Sequence, residues 1–268
     1  MRALVSGEWL ADHLAEVRVV DVRWYLARPG AGRAAYAAGH IPGAVYLDVD
    51  EDLSDPATPG DGRHPLPTPE RFAAALARAG IAAGTPVVGY DDAGGSIAAR
   101  LWWLLHVLGE PVAVLDGGLA AWPGELTAQP PRATPVERAP VPWPAERFRE
   151  ADDLAGAQLL DARTAERYAH GDPAIDPRPG HIPGARSAPW QDNLDDTGRF
   201  RPGDALRARY GDGRFVAYCG SGVTACHDLL ALHIAGVSDI ALYPGSWSQW
   251  GADPSRPAQA ATPEAPQT

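Results

Sequence analysis

An internal repeat constrains this chain more than any other feature of its sequence. The hexapeptide Gly-His-Ile-Pro-Gly-Ala occurs at residues 39–44 and again at 180–185. An apolar segment ending in Asp-x-Arg stands before each copy, at 21–23 and at 161–163, so the matches keep their order and a spacing of about 140 residues. A six-residue identity inside a longer collinear match indicates one domain that has been duplicated.

The repeat divides the 268 residues into two domains of ordinary size. We expect a first domain at 1–122, a Pro-rich linker at 123–145, a second domain at 146–253 and a disordered tail at 254–268. The first copy carries about a dozen extra residues, which fall in the loop from Asp48 to Pro69.

Short apolar runs alternate with helical patterns in both copies. The β-branched runs predict buried strands, and apolar residues at helical spacing predict amphipathic helices between them. The predicted strands are 17–22, 87–90, 112–115, 158–161, 214–218 and 239–242, and the predicted helices are 69–79, 96–108, 164–169, 223–235 and 246–250. This alternation indicates an α/β fold in which each domain has a mostly parallel sheet flanked by helices on both faces.

The charge balance narrows the possible partners. The chain has 23 basic and 34 acidic residues, a formal net charge of −11 at pH 7. An acidic protein repels phosphate backbones and anionic lipid surfaces, so we expect no nucleic acid and no membrane among its partners. The sequence shows no signal-peptide pattern and no apolar segment long enough to span a membrane, which predicts a cytoplasmic location.

Thiol chemistry is indicated by one of the two cysteines. Cys219 and Cys226 are too few for a disulfide framework and lack the paired spacing of a zinc site. Cys219 follows a predicted strand and opens the loop Cys-Gly-Ser-Gly-Val-Thr at 219–224, which leads into a predicted helix. Backbone N–H groups of such a loop can converge on sulfur and favour the thiolate, the nucleophilic form. Cys226 is interpreted as a core cysteine.

These features together resemble the tandem-domain rhodanese sulfurtransferases. The resemblance extends from Ser6 to Gly251 and includes both hexapeptides and the loop at 219–224. It implies two rhodanese-like domains, of which only the second is catalytic, because the first copy has Asp91 at the position of Cys219. The loop is similar to that of the 3-mercaptopyruvate sulfurtransferase branch, whereas thiosulfate sulfurtransferases usually carry Arg and Lys at its second and third positions.

The resemblance also implies the catalytic residues and the carboxylate-binding cation. Cys219 is the expected nucleophile, and Ser221 is expected to assist proton movement. Arg178 matches one of the arginines that bind the substrate carboxylate in this family. The position of a second arginine is taken by Ala169-His170-Gly171, and the candidates to replace it are Arg167, His170 and Arg186.

Further substrate-binding residues are expected around the sulfur. The remaining loop residues Gly220, Gly222, Val223 and Thr224 would surround it. Trp24 and Trp247 resemble aromatic residues that wall the pocket in the family, although core packing explains them nearly as well. His40 has an assigned role at the domain interface in some members, but its duplication as His181 in the other copy favours a structural role.

The resulting hypothesis is a sulfurtransferase that needs no metal or organic cofactor. It would move sulfane sulfur from 3-mercaptopyruvate through a Cys219 persulfide to a thiol or cyanide acceptor, and a thioredoxin-like reductant is a further candidate partner. Thiosulfate as donor is the alternative within the same class. A non-catalytic persulfide carrier or a redox-responsive binding module is the alternative of another class.

Other enzyme classes lack their signatures. A phosphatase with this loop would need Cys-x5-Arg, and Ala225 stands where the arginine is required. The chain has neither the Gly-x-Ser-x-Gly of serine hydrolases nor the His-Glu-x-x-His of zinc proteases.

Overall fold

The computed structural model describes residues 1–260 and shows two α/β domains. The first consists of β1 (Leu4–Val5), α1 (Gly7–Asp12), β2 (Arg18–Asp21), α2 (Ala31–Ala38), β3 (Val45–Tyr46), α3 (Pro69–Arg78), β4 (Val87–Tyr90), α4 (Ala98–His106) and β5 (Val112–Leu115). Its strands form one sheet in the order β1-β5-β4-β2-β3, in which all neighbours are parallel.

The second domain repeats this arrangement with a smaller sheet. It consists of β6 (Gln158–Asp161), α5 (Ala165–His170), β7 (Arg186–Ser187), α6 (Gly203–Tyr210), β8 (Phe215–Tyr218), α7 (Ala225–Ile234), β9 (Ile240–Leu242) and α8 (Ser246–Trp250). The parallel order β7-β6-β8-β9 reproduces the order β3-β2-β4-β5 of the first sheet. The predicted fold class, two α/β domains with parallel sheets, is therefore confirmed.

Burial on both faces of the sheets explains the continuous apolar runs. All residues of β4, β5 and β8 are buried. Alternate side chains of each strand enter different clusters, since Val87 joins a core shared by both domains whereas Val88 joins a core within the first domain only. The shared core also receives α3, α4, α6 and α7, which therefore lie between the two sheets.

Local signals set the start of several helices. Ser6, Thr68 and Thr164 each accept a hydrogen bond from the backbone N–H three residues later, and Pro69 occupies the first position of α3. Such hydroxyl caps satisfy N–H groups that have no partner inside the helix. Over residues 1–260, none of the helices combines the length and the apolar character that crossing a bilayer requires.

The two repeated motifs lie against each other. Asp21 and Arg23 form a buried ion pair with Nη2 2.6 Å from Oδ2, and the same Nη2 donates to the Gly39 carbonyl at 2.7 Å. The second domain repeats these contacts with Asp161, Arg163 and Gly180. The Asp-x-Arg segment therefore fixes the start of each Gly-His-Ile-Pro-Gly-Ala turn, which explains why the motifs are duplicated together.

The linker and the first part of the tail pack on the domains that precede them. His40 and Thr127 exchange two backbone hydrogen bonds of 2.9 Å, and His181 and Gln259 exchange two of 3.0 Å. Within the tail that the sequence predicts to be disordered, Gln259 thus pairs with the second domain. The rest of that tail, 261–268, lies outside the described residues.

Candidate active site

A cavity of about 400 Å³ lies between the two domains, beside the carboxyl end of β8. The first domain lines it with Trp24, Tyr25, Leu26, Arg28, Arg63 and Ile97, and the second with Arg167, Cys219, Gly220, Ser221, Val223 and Thr224. The carboxyl ends of parallel strands are where α/β proteins bind their ligands. Trp24, Arg167 and most of the predicted loop residues are therefore brought together here.

Cys219 lies one residue beyond β8 and is 2% exposed. Its Sγ accepts hydrogen bonds from the backbone N–H groups of Ser221 at 3.5 Å and Gly222 at 3.2 Å. Gly222 has a φ of +76°, and a Cβ atom there would stand 2.6 Å from the Pro244 carbonyl oxygen, so only glycine fits. The loop therefore directs two backbone N–H groups at the sulfur.

The first turn of α8 holds the loop from the other side. Ser246 Oγ accepts a hydrogen bond from the Cys219 N–H at 3.1 Å and donates to the Tyr243 carbonyl at 3.0 Å. The backbone N–H of Trp247 donates to the Cys219 carbonyl at 2.9 Å. Ser246 has a φ of +52°, a strained value for a residue with a side chain. This strain is consistent with a segment shaped to position the cysteine.

Ser221 is connected to a buried histidine of the first domain. His64 Nδ1 lies 2.7 Å from Ser221 Oγ, and His64 Nε2 lies 3.1 Å from Asp50 Oδ1. Asp50 Oδ2 accepts a hydrogen bond of 2.8 Å from Trp24 Nε1. A chain of hydrogen bonds therefore runs from the Cys219 loop to a carboxylate in the other domain.

The protonation of this chain follows from its surroundings. Burial lowers the pKa of His64 below its ordinary value, although its hydrogen bond with Asp50 acts in the opposite direction. The same hydrogen bond lowers the pKa of Asp50. The imidazole is thus neutral at pH 7, and since a carboxylate only accepts, the proton is on Nε2 and Nδ1 accepts from the Ser221 hydroxyl.

No motif in the sequence pointed to His64 or Asp50 as site residues. Both belong to the loop 48–69 that is longer in the first copy. The extra length of this loop, present in only one of the two copies, is the sequence signal that could have drawn attention to them. The loop 48–69 is tied to the Cys219 loop by Arg100, a fully buried side chain that donates to the carbonyls of His64 at 3.3 Å and Gly222 at 2.9 Å.

Two guanidinium groups flank Gly220, the second residue of the Cys219 loop. A Cβ atom at Gly220 would stand 2.8 Å from Arg167 Nη2 and 3.3 Å from Arg63 Nη2. Arg167 is paired with Asp176, with Nη2 2.6 Å from Oδ1. The Cys219 loop itself carries no charged side chain, but Arg63 and Arg167 bring positive charge to the cavity from other segments.

Arg178 and Arg186 do not lie at this cavity. Arg178 Nη2 donates to the Arg256 carbonyl at 2.7 Å, and its guanidinium lies 5.8 Å from the centre of the Trp247 ring, so it fastens the C-terminal segment. Arg186 Nη1 donates to the Tyr210 carbonyl at 3.4 Å. These positions are at odds with the predicted contact to substrate, because backbone carbonyls elsewhere engage both guanidinium groups. His170 lines a separate surface cavity with Arg178.

His40 and Trp247 are also outside the cavity. His40 stacks on Tyr36, and its ring nitrogens lie 2.9 Å from the Tyr36 carbonyl and 3.1 Å from the Gln129 carbonyl. Trp247 is fully buried and donates from Nε1 to the Arg178 carbonyl at 3.0 Å. The predicted substrate contacts of these two residues do not fit their positions, and backbone and core contacts account for both.

The first domain has an equivalent loop, and the side chain of Asp91 at the start of that loop occupies its centre. The buried Asp91 carboxylate accepts hydrogen bonds of 2.8 Å from four backbone N–H groups, those of Ala93, Gly95, Ile97 and Ala98. Burial raises the pKa of Asp91, while these hydrogen bonds lower it. The anion-binding geometry of the loop is thus preserved in both copies, but in the first it is closed by a carboxylate.

Cys226 has the surroundings of a core residue. It is fully buried on α7, and its Sγ donates to the Gly222 carbonyl at 3.4 Å. Burial raises the pKa of the Cys226 thiol to about 12. The thiolate form is therefore negligible at neutral pH.

Comparisons with known proteins agree with this architecture. Residues 6–125 and 144–253 both match the rhodanese-like domain model. A probable 3-mercaptopyruvate sulfurtransferase of Pseudomonas aeruginosa is 42% identical over 281 aligned positions, which cover 95% of this chain and 96% of the relative. SseB of Mycobacterium tuberculosis, a putative thiosulfate sulfurtransferase, is 40% identical over 259 positions that cover 90% of each chain.

A solved structure gives the same result in three dimensions. The crystal structure of SseA from Escherichia coli, described as a 3-mercaptopyruvate sulfotransferase with the rhodanese fold, matches with a TM-score of 0.79 and 34% identity. The match covers 92% of this chain and 100% of that one. With both domains matched by the family model and relatives of this similarity over nearly the whole length, the chain belongs to the rhodanese family as a sulfurtransferase with two tandem rhodanese-like domains.

Proposed function

We propose that this sulfurtransferase takes sulfur from 3-mercaptopyruvate through a persulfide on Cys219 and passes it to a thiol or to cyanide. The observation that carries the proposal is the hydrogen-bonded chain Ser221–His64–Asp50, which starts within the Cys219 loop. Such a chain can transfer a proton, and only some sulfur donors need a proton transfer in order to react.

The chemistry of the two donors differs in this requirement. When the Cys219 thiolate attacks the sulfur of 3-mercaptopyruvate, an S–S bond forms, the C–S bond breaks, and its electron pair leaves on the enolate of pyruvate. The donor thiol proton is released and the enolate takes one up, which gives pyruvate and the persulfide anion. Thiosulfate instead releases sulfite directly, with no proton transferred. A proton relay at the site therefore favours 3-mercaptopyruvate.

The residues around the Cys219 sulfur have distinct tasks in the proposed reaction. The N–H groups of Ser221 and Gly222, which hold the thiolate, remain available to the negative charge of the persulfide. Neutral His64, whose imidazole Asp50 orients, takes up the donor thiol proton through the Ser221 hydroxyl, and the same path returns that proton to the enolate. An acceptor thiol or cyanide then removes the outer sulfur and restores the Cys219 thiolate. A thioredoxin-like reductant would act as one such thiol.

Thiosulfate is the second candidate donor, and one observation favours it. Arg63 and Arg167 bring positive charge to Gly220, as a cationic loop would do for a dianionic donor. Because other segments supply positive charge, the absence of Arg and Lys from the Cys219 loop argues less strongly against thiosulfate than the sequence alone indicates.

A comparison of the two donors tests the proposal. We expect kcat/KM for pyruvate release from 3-mercaptopyruvate to exceed that for sulfite release from thiosulfate by about tenfold or more, a difference of about 1.4 kcal/mol. Cys219→Ser should abolish both reactions, while Cys226→Ser should keep most of the activity because that thiol is inert. A preference for thiosulfate would reject the donor, and no turnover with either donor would favour a non-catalytic persulfide carrier.

A further inference from the structure

A groove continues the cavity beside Cys219 along the boundary between the two domains. The groove has a volume of about 450 Å³, and Leu26 and Arg63 line both the groove and the cavity. Cys219 itself lines only the cavity, so the groove leads away from the sulfur. A three-carbon donor that reacts at Cys219 does not need this additional space, which leaves the groove for another ligand.

The walls of the groove are mostly apolar. The first domain supplies Leu26 and Ala27, and the second supplies the segment 173–177, Pro-Ala-Ile-Asp-Pro. All of these residues except Ile175 and Asp176 are exposed. A continuous surface of apolar side chains that remain in contact with water marks an interaction site.

The junction of the cavity and the groove carries a positive charge. Arg28 lines the cavity two residues beyond Leu26, and within residues 1–260 no carboxylate lies at ion-pair distance from it. Asp176, the acidic residue among those that line the groove, is engaged through both oxygens by Arg167. On a chain with a net charge of −11, a local positive charge of this kind favours an anionic ligand.

The turn that carries Leu26 and Arg28 is held in place by contacts within the first domain. Tyr25 Oη donates to Asp92 Oδ2 at 2.5 Å, and the backbone N–H of Arg28 donates to the Tyr25 carbonyl at 3.1 Å. The Arg28 guanidinium lies 5.4 Å from the centre of the Tyr25 ring. Ala27 has a φ of +60°, a strained value for a residue with a side chain. The turn therefore presents an apolar side chain and a cation next to each other before any ligand binds.

We propose that this groove binds the sulfur acceptor, and that the acceptor is a peptide thiol with a carboxylate. The carboxylate pairs with Arg28, and the peptide chain lies along Leu26 and the segment 173–177. This inference rests on the proposed function, since the acceptor reacts with the Cys219 persulfide.

The transfer itself needs no further reactant. The acceptor thiol releases its proton to solvent, and its thiolate attacks the outer sulfur of the persulfide. A new S–S bond forms while the bond to Cys219 breaks, and the electron pair of the broken bond returns to Cys219 as the thiolate. The transferred sulfur keeps its negative charge and leaves on the acceptor.

The test measures discharge of the persulfide separately from its formation. Each protein is loaded with 3-mercaptopyruvate and desalted, and the loss of the added sulfur is followed by mass spectrometry. The acceptor is either glutathione, an anionic peptide thiol, or 2-mercaptoethanol, a small neutral thiol. The measured quantity is the ratio of the two second-order rate constants, in which changes in the reactivity of the persulfide itself cancel.

Substitutions at the junction should change this ratio. Leu26→Asp should lower it about tenfold or more, because an apolar contact is replaced by a charge that repels the peptide carboxylate. Arg28→Met should lower it about two- to fivefold, the range of an exposed ion pair, and Arg28→Lys should keep most of it. The dimethyl ester of glutathione lacks the carboxylate charges, so its discharge rate relative to 2-mercaptoethanol should not respond to Arg28→Met.

Leu126→Asp is the matched control. Leu126 is an exposed leucine that lines neither the groove nor the cavity, so the ratio should equal that of wild type. Thermal melting verifies that each variant is folded, and Ala174→Asp on the opposite wall replaces Leu26→Asp if the latter unfolds. The inference is overturned if Leu26→Asp slows both thiols equally, or if glutathione does not discharge the wild-type persulfide. A wild type that forms no persulfide would reject the proposed function instead.

Discussion

Ser221→Ala should remove the proposed proton relay while leaving the rest of the site in place. The substitution removes the hydroxyl that lies 2.7 Å from His64 Nδ1 but keeps the backbone N–H that donates to the Cys219 sulfur. The persulfide-forming geometry is therefore retained, while the path from the enolate to His64 is broken. We expect turnover of 3-mercaptopyruvate to fall and turnover of thiosulfate to change by less than about threefold, since sulfite leaves without a proton.

The size of the loss follows from the surroundings of the relay. General acid–base catalysis contributes about 10²- to 10⁴-fold. Ser221 is 6% exposed but lines an open cavity, so a water molecule can occupy the space of the hydroxyl and transfer the proton less efficiently. We therefore expect the lower end of that range, about 10²-fold in kcat, which corresponds to about 2.7 kcal/mol in the activation barrier.

Two assays on the same protein preparations measure this effect. Pyruvate release and sulfite release are followed for wild type, Ser221→Ala and Ser187→Ala, where Ser187 is a control from β7 whose hydroxyl has no hydrogen-bond partner in the described part of the chain. Ser187→Ala should match wild type with both donors. Equal losses with both donors in Ser221→Ala would show that the hydroxyl holds the Cys219 loop rather than moving a proton. That result would contradict the proposed proton relay.

Two further predictions concern buried carboxylates. Asp91→Asn places an amide against four N–H donors and should lower the free energy of unfolding in urea by about 2–3 kcal/mol, whereas unchanged stability would mean that these hydrogen bonds are weak. Burial raises the pKa of Asp228 to about 7, so the stability it contributes is full below about pH 4 and is lost as pH rises through 7. Asp228→Asn, which resembles the protonated acid, should therefore melt increasingly above wild type from about pH 5 to about pH 8, and parallel melting curves would contradict this.

The sequence could predict the elements whose signal is local and long enough. The strands at 87–90, 112–115 and 158–161 have the predicted bounds, because each of them contains a short apolar run that is buried in the sheet. The two-residue edge strands β1, β3 and β7 were missed, since a pair of residues has no periodicity. The polar helix α6 was missed because its buried side consists of few residues.

The same distinction applies to the site. The repeat, the Cys219 loop and the replacement of cysteine by Asp91 are each readable from contiguous residues, so the duplicated fold could be predicted from the sequence, and the proposal of Cys219 as the nucleophile comes from there as well. Only the tertiary structure decided what surrounds the sulfur. His64 and Arg63 reach the loop from an insertion in the other domain, across more than 150 residues of sequence. Arg178, the arginine that the family resemblance indicated, is instead held by carbonyls near the C-terminus. Where a flexible charged side chain points depends on which partners compete for it, and those partners come from distant segments that no local pattern specifies.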